Sequence, residues 1–230
     1  KRFPKKIWKK INEKTMLEII IERLKNIKNT DLIIVTTKKR SDDKIIELCK
    51  KLKINFFRGK ANDVLSRFYD TSKQFKLNTI IRCNADCPLI DRKLLVRMLD
   101  KYKKNKYDYM SNILVPTYPS GLHIEIMNFK SLKIAHKNAS KLSEREHVTP
   151  YIYNNPKIFN IKNYTSKSKL SNHRWTIDFE EDFTFVEKVF KKMNYRNDFN
   201  MEKLLKVIKK NPSLRNINYH IPKKQNLKIK

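Results

Sequence analysis

The stretch Ile80-Ile81-Arg82-Cys83-Asn84-Ala85-Asp86-Cys87-Pro88-Leu89-Ile90-Asp91 decides how the rest of this chain is read. Its β-branched start suits a short buried strand, Pro88 ends the pairing, and Asp91 stands where a helix would be capped. Asp86 is therefore expected at the carboxyl end of a strand, the edge of an open α/β sheet at which ligands bind. Two readings are open for it. A carboxylate there suits a hard cation carrying nucleotide phosphates, and an aspartate beside Pro88 also suits a plain turn.

Towards the amino terminus, Thr15-Met16-Leu17-Glu18 is a capping box, and Leu17, Ile20, Ile21 and Leu24 follow at helical spacing, predicting a helix over 15–26. Leu32-Ile33-Ile34-Val35 predicts a strand within 31–37, and Ser41 is expected to cap a helix whose inner face carries Ile45, Ile46, Leu48 and Leu52. A strand over 54–57, a helix over 63–75 and the strand over 79–83 follow, before the helix that Asp91 caps. Such alternation means right-handed crossovers and a mostly parallel sheet in an α/β fold.

Beyond Asp108 the pattern changes. Extended stretches over 108–114 and 122–127 flank Pro116, Pro119 and Gly121 and predict a hairpin-like excursion. Ser143-Glu144-Arg145-Glu146 reads as a second capping box, and Pro150 is placed to start a further helix after Thr149. Trp175-Thr176-Ile177 predicts a short strand ending at Asp178, which suits either a metal ligand or a cap before Phe179-Glu180-Glu181. Helices over 182–192 and 201–210 close the fold, followed by a basic tail over 221–230.

The chain has 230 residues, enough for one large domain with a proper core. It has no apolar run long enough to span a bilayer and no signal peptide with an apolar centre, so a cytoplasmic protein with no membrane partner is expected. Three cysteines without paired metal-site spacing read as reduced thiols. The formal charge of +30 raises a nucleic-acid reading. Its lysines are spread along nearly every segment, which argues against that partner, although the charge still draws anionic nucleotides to a cleft. No Gly-x-Gly-x-x-Gly or Walker loop is present, against dinucleotide and P-loop enzymes. Cys87 reads as a packed thiol rather than a nucleophile.

If the ends of the 79–83 and 175–177 strands meet, Asp86 and Asp178 can hold one Mg²⁺, with water and phosphate oxygens completing its shell. Arg2 and Lys6 bracket Pro4 and suit either phosphate contacts or solvated charge. His147 suits an anionic substrate, proton transfer or a structural role, and Arg174 is a candidate carboxylate clamp.

These motifs together resemble the cytidylyltransferases of the spore coat polysaccharide biosynthesis type, relatives of the CMP-3-deoxy-manno-octulosonate and acylneuraminate synthetases. The resemblance rests on Arg2-Phe3-Pro4-Lys5-Lys6, Met16-Leu17-Glu18, Phe57-Arg58-Gly59 with Asp63-Val64-Leu65, Arg82 through Asp91, Tyr118-Pro119-Ser120-Gly121-Leu122, Ser143 through Tyr151, and Arg174 through Asp178. It implies a nucleotide-diphosphosugar transferase fold, Rossmann-like and three-layered, in a single domain over 1–220. An insertion over about 105–170 would carry the dimer and sugar-site region of a homodimer. The implied reaction joins CTP to an acidic sugar of the 2-keto-3-deoxy type, with Mg²⁺ as cofactor and pyrophosphate released, for surface polysaccharide synthesis. By position, Asp86 and Asp178 would be the catalytic metal ligands, Arg2, Lys6 and Asn84 would bind nucleotide, and Arg145, His147 and Arg174 would face the sugar. The family's first strand and its Gly/Ser base-binding loop would precede Lys1. Lys5 stands at the family's glycine position, and Thr176 stands where the sialic acid enzymes carry a second aspartate. A non-catalytic remnant that binds nucleotide or a partner enzyme, and a basic nucleic-acid-binding module, are the competing classes.

Overall fold

A computed structural model describes Phe3 and residues 5–222. Arg2 and the tail from 223 onward lie outside the described residues, and so do the expectations that rest on them. A small antiparallel ribbon, β1 (Lys10–Ile11) with β2 (Lys14–Thr15), leads into α1 (Met16–Leu24). The expected capping box is present there: the Thr15 hydroxyl accepts from the Glu18 amide, and the Glu18 carboxylate accepts from the Thr15 amide at 2.8 Å.

Next come β3 (Ile33–Thr37), α2 (Asp43–Lys51), β4 (Asn55–Gly59), α3 (Val64–Gln74), β5 (Thr79–Arg82) and α4 (Arg92–Lys104). Asp63 caps α3 and Asp91 caps α4 through their side chains. Ser41, expected as a cap, instead sits in a short 3-10 turn ahead of α2. The Asp42 carboxylate that follows is drawn back onto the Thr36 and Thr37 hydroxyls rather than onto the helix.

The second half contains β6 (Tyr109–Ser111), β7 (Glu125–Asn128), α5 (Phe129–Asn138), α6 (Leu142–His147), α7 (Pro150–Tyr153) and β8 (Ile161–Asn163). Helices α8 (Glu180–Lys192), α9 (Met201–Lys210) and α10 (Ser213–Asn216) end the fold. The cap of α6 falls at Lys141, whose amide donates to Glu144, so Ser143 lies inside the helix rather than at its start. The Trp175–Ile177 segment forms no strand; a bridge between Ser120 and Arg174 pins it to the neighbouring loop instead.

Strands β3 and β4 are parallel, as are β6 and β8, whereas β7 runs antiparallel between β5 and β6. The sheets are thus mixed, because the hairpin-like excursion inserts β7 beside β5. Side-chain alternation makes the four-stranded sheet the middle of three layers. Met110 and Ile126 face α1, α4 and α8, while Tyr109, Met127 and Ile80 face α3, α5 and α7. Among the described residues β3 and β5 each have a single partner strand, and both line an apolar slot of about 300 Å³ roofed by Leu17, Ile20 and Ile21.

Candidate active site

Asp86 follows β5 in a turn in which the Cys87 amide donates to the Asn84 carbonyl. The Ile177 amide donates to the Asp86 carbonyl at 2.9 Å, and the Phe3 amide donates to the Asp178 carbonyl at 2.8 Å. These backbone bonds bring the two aspartates together without a strand at 175–177. Their carboxylates then share one cation: Lys6 Nζ lies 3.0 Å from Asp86 Oδ2 and 3.2 Å from Asp178 Oδ1. The ammonium also donates to the Ile177 carbonyl.

Asp178 is held from behind. Asp182, wholly buried at the start of α8, accepts from the Asp178 and Phe179 amides. It also takes Arg174 Nε and Nη2, both at 2.8 Å, while Nη2 reaches Asp178 at 3.4 Å. Arg174, which the resemblance would turn to the sugar, grips two of the protein's own carboxylates. Burial works against its charge, and the bonds and charges of Asp182 and Asp178 outweigh that and push its pKa up.

A cavity of about 730 Å³ opens in front of the pair, and Asn84, Asp86, Asp178, His147 and Arg174 all line it. Arg145 does not. It points to Asp63, with Nε 3.1 Å from Oδ1, and donates to Ser66 Oγ and the His136 carbonyl, both at 2.8 Å. Burial alone would raise the Asp63 pKa, but the bonds from Arg145 and Ser66 hold it down at about 2. Arg145 thus ties α6 to α3, two residues before His147.

Between His147 and Thr149, buried Val148 adopts φ 74 and ψ −55, and the Thr149 amide closes onto the His147 carbonyl at 2.9 Å. This is a γ-turn of the rare, strained kind, and both flanking side chains line the cavity. Cys87 is buried beside Asp86; burial, with the neighbouring carboxylate, pushes its thiol well above the ordinary value. It is the packed thiol the sequence suggests, not a nucleophile.

The cavity floor holds a pair that the sequence reading passed over. Arg82 on β5 faces Glu125 on β7 in the strand register, and the two form an ion pair. Glu125, 1% exposed, also accepts from Tyr109 at 2.7 Å and from Thr149. The only sequence signal was a charged residue inside each of two apolar runs.

As to a metal, the donors are hard oxygens converging on one cationic position, which suits Mg²⁺ held by one or two carboxylates and substrate phosphates. Among the described residues no cluster of three or more acidic, His or Cys side chains forms an all-protein cage.

A family profile described as cytidylyltransferase matches residues 1–211. The chain is 37% identical over 229 residues to the uncharacterized protein MJ1063 of Methanocaldococcus jannaschii, covering 97% of this chain and 92% of that one. It is 28% identical to the spore coat polysaccharide biosynthesis protein SpsF of Bacillus subtilis, covering 92% of this chain and 90% of that one. A cytidylyltransferase structure from Leptospira borgpetersenii superposes with a TM-score of 0.88 at 32% identity, over 97% of this chain and 94% of the other. A CMP:2-keto-3-deoxy-manno-octonic acid synthetase complexed with CTP shares the fold, with a TM-score of 0.63 at 11% identity over 84% of this chain and 94% of the other. The chain therefore belongs to the cytidylyltransferase family.

Proposed function

We propose that this protein transfers CMP from CTP to an acidic sugar of the 2-keto-3-deoxy type, releasing pyrophosphate, in surface polysaccharide synthesis. The observation that carries the reading is the convergence of Asp86 and Asp178 on one cationic position at the mouth of a cavity roomy enough for nucleotide and sugar together. The chain's similarity to the spore coat polysaccharide biosynthesis protein of Bacillus subtilis supports the polysaccharide setting.

In this reading a sugar hydroxyl oxygen bonds to the α-phosphorus while the bond from that phosphorus to the bridging oxygen of the β-phosphate breaks. Pyrophosphate leaves and the hydroxyl proton passes to solvent. Catalysis is then mainly positioning and charge stabilisation. Asp86 and Asp178 would hold Mg²⁺, which offsets charge on the triphosphate. Lys6, whose ammonium sits between the two carboxylates, would turn to the phosphates, with Arg2 beside it in sequence. Asn84, which lines the same cavity, would lie beside the nucleotide, and Arg174 and Asp182 hold Asp178 in place. His147 faces the sugar, while Arg145 acts one step removed by fixing α6.

A homodimer in a cytoplasmic enzyme belongs to the same proposal. Exposed Val115, Leu142 and Ile158, at 57%, 86% and 55%, all fall within 105–170, where the dimer contact was expected. No described helix is long and apolar enough to cross a membrane.

The test is pyrophosphate release from CTP, Mg²⁺ and a 2-keto-3-deoxy sugar acid. Asp86→Ala should lower kcat by at least about a hundredfold, as loss of a group stabilising transferred phosphate does. CTP binding by the wild type without turnover on any such acid would sink the reading and leave the non-catalytic remnant.

A further inference from the structure

The cations around the cavity differ in how much of their hydrogen-bonding capacity is already used. Lys6 is taken up by Asp86, Asp178 and the Ile177 carbonyl. Arg174 spends Nε and Nη2 on two carboxylates, and its side chain is 4% exposed. Arg145 is turned away onto Asp63. Arg82 differs from all three. Among the described residues its guanidinium donates to Glu125 alone, through Nη1; its side chain is 17% exposed and lines both this cavity and the neighbouring apolar slot.

Glu125 is a lock rather than a competitor. Its Oε1 accepts from Tyr109 and Thr149, which holds Oε2 in place to accept from Arg82 and orient the guanidinium. Arg82 thereby presents a rigid edge of N–H donors with Nε and Nη2 still to be satisfied, the geometry that receives a planar two-oxygen anion. The edge lies on the sheet floor beside Thr149 and Tyr153, which come from the 105–170 region, whereas Lys6 and the two aspartates occupy the strand-end side of the cavity.

We propose that Arg82, oriented by Glu125, is the residue that recognises the acceptor, by pairing with the carboxylate of an acidic sugar. This rests on the reaction proposed above and assigns its acceptor specificity to a residue outside the motif residues named for the sugar. Arg82 takes no part in holding the nucleotide phosphates.

The experiment compares wild type, Arg82→Lys, Arg82→Met and the double variant Arg82→Met/Glu125→Gln, which leaves no buried carboxylate without its cation. The probes are 3-deoxy-manno-octulosonate and N-acetylneuraminate, read by pyrophosphate release and by calorimetry, with thermal melting as the check on folding. Loss of a charge-assisted bidentate contact should raise the acid's KM and Kd about tenfold or more, with the CTP KM held within about twofold and the Lys variant intermediate. An unchanged acid KM, or a CTP KM that rises in parallel, overturns the assignment. If the wild type binds an acid without releasing pyrophosphate and the Arg82 variants lose that binding, the reaction falls and the assignment stands. If the wild type binds neither acid, the assignment falls.

Discussion

Lys5 adopts φ 51 and ψ 25, a left-handed backbone that a lysine enters only at a cost. The backbone there has the shape that favours glycine, in the turn that delivers Lys6. Lys5→Gly should therefore raise stability by about 0.5–1 kcal/mol, the left-handed penalty less glycine's extra chain entropy, in a denaturant melt. Gly121 is the opposite case. At φ 105 a Cβ would stand 2.5 Å from the Trp175 carbonyl carbon and 2.6 Å from the Thr176 nitrogen, both backbone atoms. Gly121→Ala should cost at least about 2 kcal/mol, since neither atom belongs to a side chain that can swing away. It should also lower turnover, because the segment it displaces carries Asp178. A melt unchanged by Gly121→Ala would mean that the loop is not packed on 174–178 as described.

At the scale of elements, the contact between α3 and α6 sets the geometry of one cavity wall. Asp63 does double duty, capping α3 through the Ser66 amide and pairing with Arg145. Tyr69 stacks on His136 at 4.2 Å beside it, and burial, with Arg145 near, pushes that histidine's pKa down. Arg145→Met should therefore show mainly as lost stability, about 2 kcal/mol for a bond between charged partners, with little change in acceptor KM. A large acceptor KM change in a fully stable variant would return Arg145 to the sugar site. The pH dependence has a fixed sign. Asp63 has a folded pKa of about 2, below its ordinary value, so its stabilising contribution is complete above about pH 4 and is lost as pH falls towards 2. Asp63→Asn should flatten the acid limb of the melting curve over that window.

Across the whole molecule, what was legible in the sequence was what depends on local pattern. Helix periodicity, the Thr15 and Asp91 caps and the apolar strands follow from neighbours a few residues apart, and they lead to the three-layer α/β fold. What was hidden depends on contacts between distant segments: the Ser120–Arg174 bridge that replaces a strand at 175–177, and the Arg82–Glu125 pair. The slot between β3 and β5 is of that second kind and carries a consequence for stability. Both strands turn an edge without a described partner toward it, and Leu17, Ile20, Ile21, Val64 and Phe68 line it with apolar surface. Interior strand edges leave amides and carbonyls unpaired, and such edges are aggregation-prone until covered. A parallel strand laid between them would pair both edges and join the two sheets, and its carboxyl end would emerge on the side of Asp86, where Phe3 meets Asp178. A strand of about five or six residues, Val- and Ile-rich, fused ahead of Lys1 through a short Gly/Ser loop should therefore raise Tm by several degrees and slow amide exchange at Ile33–Thr37 and Thr79–Arg82. A polar fusion of equal length is the control. Equal melting and exchange for the two fusions would show that the slot does not accept a strand, and the two sheets would then have to be held together by helix packing alone.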